Sequence, residues 1–385
     1  MHTTPKRPRF LAAGFTLVEL MIGMALGLLS VLIITQVMSL FEAQRRTTTG
    51  SADAQTNGGI ALYSIAREMQ MAGFGLMPIT NPALDCTPAT VTYGGTGITG
   101  MAPIAITDGV SSSGVNASDS ITIRYANSQT GGTVSQITAW NNGTATATLG
   151  SNIGCQVDDV TLVSAGATCA MSKTTAVTAW GASPITVTLA NTANAGNGAN
   201  LACLGQWIEV TYAVNQATGN LDRTVRVNGV SDGTTVHGFV TGTSPSVVGV
   251  VNLQAQYGIS TTATSNQVVQ WVDATAGGTW DPALVTAADR NRIKAVRIAV
   301  IARNAKIEPS AVTSACSSTS AATPTGLCAW DATTALPNPI VAPFVASPAP
   351  TVDLHFADAN WARYRYRVFE SIIPLRNVIW ARGSL

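Results

Sequence analysis

The apolar positions change pattern twice along the chain, near residue 42 and near residue 78. From Phe15 to Phe41 the sequence reads FTLVELMIGMALGLLSVLIITQVMSLF, without proline and with a single charge, Glu19. As a helix at about 1.5 Å per residue this run reaches roughly 40 Å, enough to cross a hydrocarbon core of about 30 Å. Nothing later in the chain is comparable. The helix is expected to continue past Phe41 into a polar, weakly helical stretch, TTTGSADAQTNGG, in which Gly50 and the pair Gly58-Gly59 are weak points where it could bend or melt. Leu62, Ile65, Ala66, Met69 and Ala72 then recur at spacings of three and four, with Arg67, Glu68 and Gln70 between them. That spacing predicts an amphipathic helix packed on the C-terminal domain, ended by Gly73, Gly75 and Pro78.

From about residue 85 the pattern turns to strands and loops rich in Gly, Ser and Thr. ITIRYA (121–126), ITVTLA (185–190), WIEVTYAV (207–214), RTVRVN (223–228), VVQWVDA (268–274), AVRIAVIAR (295–303) and YRYRVFE (364–370) show period-two alternation or enrichment in β-branched residues. Asp281-Pro282 reads as an N-cap with proline at the first helical position, opening a short helix through Asp289-Arg290. The Pro-, Ala-, Ser- and Thr-rich stretch 304–360 reads as long surface loops. The expected fold class is α+β: a long N-terminal helix, its hydrophobic half exposed, packed on a large, mainly antiparallel β domain. Its divisions are a leader (1–14), an apolar helix (15–41), an amphipathic continuation (42–77) and a β-rich globular part (78–385).

Composition narrows the chemistry. Only 11% of the 385 residues are charged and the formal net charge is +1, which gives no global electrostatic reason to expect nucleic acid or an anionic membrane surface as partner. Six cysteines, Cys86, Cys155, Cys169, Cys203, Cys316 and Cys328, all lie beyond the apolar run. An even number in a part expected to be exported points to disulfides. Cys316 and Cys328 are the favoured couple, because a local bridge would pin the polar loop between them; the remaining connectivity is open. No CxxC and no zinc-like spacing occurs, so no metal and no cofactor is expected.

The leader MHTTPKRPRFLAAG carries Lys6, Arg7 and Arg9, against Arg45 and Arg46 after the apolar run. The positive-inside rule therefore places the leader in the cytoplasm and the rest outside. Small residues suited to cleavage, Ala12-Ala13-Gly14, stand before the apolar run rather than after it, so cleavage would leave the apolar helix as a new N-terminus. A glutamate within an apolar span costs around 2.5–3.5 kcal/mol near the middle, less near the interface, unless something pairs with it. Cleavage after Gly14 would supply a cation, the α-amine of Phe15. The alternative is a carboxylate hydrated at the interface or protonated within the bilayer.

Gly14 followed by Phe15-Thr16-Leu17-Val18-Glu19-Leu20, behind a basic leader, resembles the type III signal of type IV prepilins. VVGVVNLQAQYGIS (247–260), VRIAVIARN (296–304) and RYRVFESIIPLRNVIW (365–380) are similar to blocks of PilW-type minor pilins. The resemblance implies cutting between Gly14 and Phe15 by the prepilin peptidase, N-methylation of Phe15, and a helix used first as an inner-membrane anchor and then as packed filament core. Glu19 would then neutralise an N-terminal amine during assembly. It further implies a periplasmic domain that later becomes part of an extracellular pilus. The implied partners are the other minor pilins and the major pilin, with which the chain primes assembly, and a large tip adhesin, in support of adhesion and twitching motility. A minor pseudopilin of a type II secretion system shares such an N-terminus, but the length and the C-terminal blocks argue against it. The stretch 85–245 carries no such resemblance.

Three other constellations bear on function. Gly23-x-x-x-Gly27, followed by Ser30, would let another helix backbone approach closely. In WARYRYRVF (361–369), strand alternation would put Arg363, Arg365 and Arg367 on one face beside Trp361 and Phe369, an arrangement that can bind single-stranded nucleic acid but is more often a solvated face or one paired to acids. Asp158-Asp159 with Asp353 and Asp358 lacks EF-hand spacing and reads as turns. There is no nucleophile elbow, P-loop or dinucleotide fingerprint, so the chain is not read as an enzyme.

Overall fold

In chain order the elements are α1 (Leu17–Met69), β1 (Thr92–Tyr93), β2 (Thr96–Gly97), β3 (Ile104–Thr107), β4 (Ser120–Ala126), β5 (Val134–Asn141), β6 (Thr146–Leu149), β7 (Val160–Ala165), β8 (Thr168–Val177), β9 (Thr186–Leu189), β10 (Asn200–Gly205), β11 (Trp207–Asn215), β12 (Asn220–Asn228), β13 (Phe239–Val248), β14 (Val250–Ile259), β15 (Gln270–Val272), α2 (Ala287–Arg290), β16 (Ile293–Arg303), β17 (Tyr366–Pro374) and α3 (Arg376–Trp380). They come from a computed structural model that describes residues 14, 16–76, 92–93, 96–97, 102–109, 117–151, 154–166, 168–179, 181–191, 195–228, 239–316, 325–329 and 359–380. The chain falls into two compact units, Met1–Gly50 and Ser51–Leu385. The fold is α+β and pilin-like: an N-terminal apolar helix followed by a large antiparallel β domain.

In the first unit α1 is apolar all round. Its most hydrophobic 18-residue window has a mean hydropathy of 2.5 with none of it buried. Large side chains from Leu17 to Phe41 are all exposed, whichever face they lie on. In a water-soluble helix only one stripe would be apolar, so this part is built to be surrounded.

In the second unit the strands among the described residues form four antiparallel sets: the hairpin β1-β2, a closed barrel β10-β5-β6-β9-β8-β7, a five-stranded sheet β13-β12-β11-β4-β3 and a four-stranded sheet β15-β14-β16-β17. The end of α1 lies on the two open sheets through a stripe of Ala54, Gly58, Ala61, Ile65 and Met69, continued past the helix by Ala72 and Leu76, all buried. Spacings of three and four keep these positions on one face. From Ala61 on they join one core with Ile123 of β4, Val210 and Tyr212 of β11, Leu253 and Tyr257 of β14, and Val296 and Val300 of β16. Full burial of Ile65 and of Met69 contributes about 1.5–3 kcal/mol each.

α1 continues past Phe41 as expected, and stays helical through the weak points at Gly50 and Gly58-Gly59. Gly58 is buried, and a Cβ there would overlap the Phe369 ring, so the glycine serves close packing rather than a break; a Cβ at Gly59 would meet nothing within 4 Å. The N-cap of the short helix is Thr286, whose Oγ1 accepts from Asp289 N, and not Asp281. Asp281 instead closes a turn, accepting from Ala283 N at 2.8 Å and Gly277 N at 2.7 Å.

Two buried polar contacts fix the sheets. Glu209 on β11 lies opposite Arg124 on β4 and Arg226 on β12 in the strand registers, and bonds both, at 3.0 and 2.8 Å. The five-stranded and four-stranded sheets are joined by Asp119, which bonds Leu253 O through its backbone N and accepts from Gly109 N at 3.0 Å and Ala255 N at 2.7 Å. Burial pushes the Asp119 carboxyl well above the usual carboxylate range, and nearby Asp108 and Asp273 add to the effect. Burial also raises Asp108 and Asp273.

Gly58→Ala should lower unfolding stability, because overlap with Phe369 costs about 1–3 kcal/mol against a helix-propensity gain of at most about 1 kcal/mol. Gly59→Ala should raise it by about 0.5–1 kcal/mol; equal effects in denaturant titrations of the full chain would contradict the packing described. For the acids, a raised folded pKa means the folded state holds the proton more tightly. Their contribution to stability is therefore fully present below the unfolded value of about 4 and is lost as pH rises through the folded value. Asp119→Asn, though it loses one backbone hydrogen bond at every pH, should flatten that decline, and an unchanged slope would contradict the assignment.

Candidate assembly interface

At the start of α1, Thr16 and Glu19 bond each other reciprocally. Thr16 Oγ1 accepts from Glu19 N at 3.2 Å, while Glu19 Oε2 accepts from Thr16 N and from Thr16 Oγ1, both at 3.0 Å. Leu20 N donates to Thr16 O at 3.1 Å, so the first helical turn closes on Thr16. This is a capping box: two amide groups left without partners at a helix start are satisfied by side chains. Its Thr-x-x-Glu spacing is legible in the sequence, but a reading of Glu19 as a charge alone misses it. The other carboxylate oxygen carries no hydrogen bond among the described residues. Gly14 is exposed with open space around it, and Phe15 lies outside the described residues.

The rest of the apolar half suits a medium without water. Ser30, Thr35 and Ser39 each donate to a carbonyl three or four residues back, Leu26, Leu32 and Gln36, at 2.7–2.9 Å. Their hydroxyls therefore need no outside partner. A Cβ on Gly23 or Gly27 would meet nothing within 4 Å, so both present bare backbone on the exposed surface.

In the second unit the helix is clamped to the five-stranded sheet beside a cavity of about 630 Å³ lined by Tyr63, Arg67, Glu68, Met71, Tyr125 and Arg223 among others. Glu68 accepts from the Tyr125 hydroxyl at 2.7 Å and pairs with Arg223 at 3.1 Å, and Tyr212 OH donates to Ser64 O at 3.4 Å. Burial, then the bond to Glu68, pushes the Tyr125 phenol well up, so it stays a neutral donor. Ile60, Tyr63, Met71 and Phe74 are exposed along this side of the helix and the turn after it.

The arginine face does not form. Trp361–Arg363 is a 3₁₀ turn and β17 begins only at Tyr366. Arg363 Nε donates to Glu308 O, Arg365 pairs with Glu308 at 2.9 Å, and Arg367 reaches Ser51 Oγ at 3.4 Å. Asp158 pairs with Lys173, and Asp159 accepts from Gln156 N at 2.8 Å in a turn. Asp353, Asp358, His237 and His355 lie outside the described residues, among which no cluster suited to a metal ion occurs. Cys155 is bonded to Cys203 and Cys316 to Cys328; Cys169 is disulfide-bonded, and Cys86 lies outside the described residues.

No curated protein and no solved structure matches the chain. Residues 211–377 match the family model of PilW, type IV pilus-assembly protein W. The match runs from β11 to α3 and takes in 211–245, within the stretch where the sequence showed no resemblance; it leaves out the barrel. Over residues 211–377 the chain is therefore similar to PilW, a type IV pilus-assembly family.

Proposed function

We propose that the chain is a minor pilin: a prepilin cut between Gly14 and Phe15, N-methylated at Phe15, held in the inner membrane with its β domain in the periplasm, and then drawn into the pilus. One observation carries this reading. An apolar helix exposed on every side, started by a glutamate cap, stands at the head of a chain whose C-terminal part is PilW-like.

The chemistry rests on the cap. Glu19 is engaged on one oxygen by Thr16, which fixes the side chain at the helix start. Cutting before Phe15 would put an α-amine next to Thr16, with an ordinary pKa of about 7.7–8.0, hence largely cationic at neutral pH. A carboxylate removed from water is tolerated when paired and hydrogen-bonded and is costly when either partner is lost. Glu19 would thus admit a helix to the packed filament only when a processed N-terminus, its own or a neighbour's, meets it. Gly23 and Gly27 would give close approach to a neighbouring helix. The exposed Tyr63 and Met71 would face other minor pilins or the major pilin, in a complex that primes assembly at or near the tip, supports twitching motility and adhesion, and presents a large adhesin.

The mass of the mature N-terminus, with and without prepilin peptidase, tests the processing. The expected chain begins at methylated Phe15 only when the peptidase is present. Glu19→Ala should remain in the membrane yet fall at least tenfold in sheared pili, whereas Thr16→Ala, which removes the cap and leaves the charge, should fall less. A mature chain that still carries residues 1–14, or Glu19→Ala entering pili as well as the parent, would overturn the proposal.

A further inference from the structure

From Ile60 to Gln70 the second half of α1 is exposed at Ile60, Tyr63, Arg67 and Gln70, and every other residue in that stretch is buried or half-buried. Asp53 and Thr56, also exposed, extend the line upstream. From Asp53 to Gln70 the spacings are three, four, three, four and three. That is the spacing of a helix seam, whose gaps receive the side chains of a second helix laid along it.

A helix face left to water carries polar and charged residues. This one holds Ile60, 49% exposed, and Tyr63, 68% exposed, with Met71 and Phe74 exposed beyond them. One flank of the seam is the cavity of about 630 Å³, walled on its far side by Tyr125 of β4, Tyr212 of β11 and Arg223 of β12. Of the charged groups that line it, Glu68 has both oxygens engaged, Oε1 by the Tyr125 hydroxyl and Oε2 by Arg223. Arg67 has no hydrogen bond or ion pair among the described residues, and neither has Asp53 near the start of the seam. Two guanidinium groups therefore stand against one carboxylate, and the uncompensated one lies one turn from Tyr63 on one side and from Met71 on the other.

This combination narrows the occupant. A small anion would satisfy Arg67 but leave the apolar line in water. Two guanidinium groups are too few for nucleic acid, which is held through many phosphate contacts. Tyr, Met and Arg are the side chains in which protein interfaces are enriched. A second copy laid parallel and in register would set Arg67 against Arg67 and Asp53 against Asp53, and like charges repel.

We infer that the seam from Asp53 to Gln70 takes a parallel helix of a different pilus subunit, which sets an Asp or Glu side chain against Arg67 between apolar contacts to Tyr63 and Met71. The inference rests on the assembly role proposed above, which supplies a shared membrane and hence the parallel direction.

The test places p-benzoylphenylalanine at Tyr63, or in a second strain at Met71, of the full-length chain in piliated cells. After irradiation, adducts from membranes and from sheared pili are mapped by mass spectrometry. The expected adduct, present in both fractions, joins the helix of another pilus subunit within one turn of an Asp or Glu. Arg67→Glu should reduce it about tenfold or more, because like charges then meet, and changing the mapped acid to Arg should restore it. Arg67 is exposed, so thermal unfolding of the variant should match that of the parent. Absence of a subunit adduct from both positions would overturn the inference. So would adducts confined to lipid, to a second copy or to a segment without an acid, or a charge reversal that restores nothing. A chain that keeps residues 1–14 or stays out of pili refutes the assembly role, while the adduct in membranes still decides the seam.

Discussion

An apolar helix that is exposed on every side among the described residues is the constraint on which the rest depends. From Leu17 to Phe41 every large side chain is exposed, and the hydroxyls of Ser30, Thr35 and Ser39 are turned inward onto their own backbone. Such a surface must be covered by lipid or by other helices, since exposing it to water forgoes about 25 cal/mol per Å². The β domain answers the opposite need. It takes up the last turns of the same helix through a narrow stripe of small and apolar residues, close enough that Gly58 has no room for a methyl group.

Glu19 stands at the start of the apolar half. As a capping residue it starts the helix with a local bond that any medium would permit. As a charge it is costly in a medium without water unless a cation joins it. The same side chain thus stabilises the free helix and penalises its burial when unpaired, which is the kind of asymmetry that an assembly step can use.

The sequence showed the apolar helix, the amphipathic turns, and β4, β11, β12, β15, β16 and part of β17 of the open sheets, because there neighbouring positions differ sharply in polarity or are uniformly β-branched; β3, β13 and β14 were not read as strands, and of the barrel only β9 was. Ile65, Met69 and Ala72 were placed on the packed face by spacing alone, and the structure puts them in the core. The barrel was far less legible. In β5, VSQITAWN, and β8, TCAMSKTTAV, alanine, serine and threonine stand on both faces, so period two leaves little contrast to read. The bond between Asn127 and Gln206 joins residues far apart in sequence and could not be found from local pattern. Local pattern also misled: Asp281-Pro282 has the chemistry of a cap but closes a turn, and the alternation of Arg and Tyr before Val368 is broken by a 3₁₀ turn.

The claim that the first half of α1 is always covered is tested most directly by a cysteine placed at Leu29, since no free cysteine occurs among the described residues. Its reaction with a membrane-impermeant maleimide would be measured in whole cells and again in sheared pili, against a cysteine at exposed Thr243 on β13. The account predicts protection of position 29 in both states and ready labelling of position 243. Labelling of position 29 at a comparable rate in either state would contradict it.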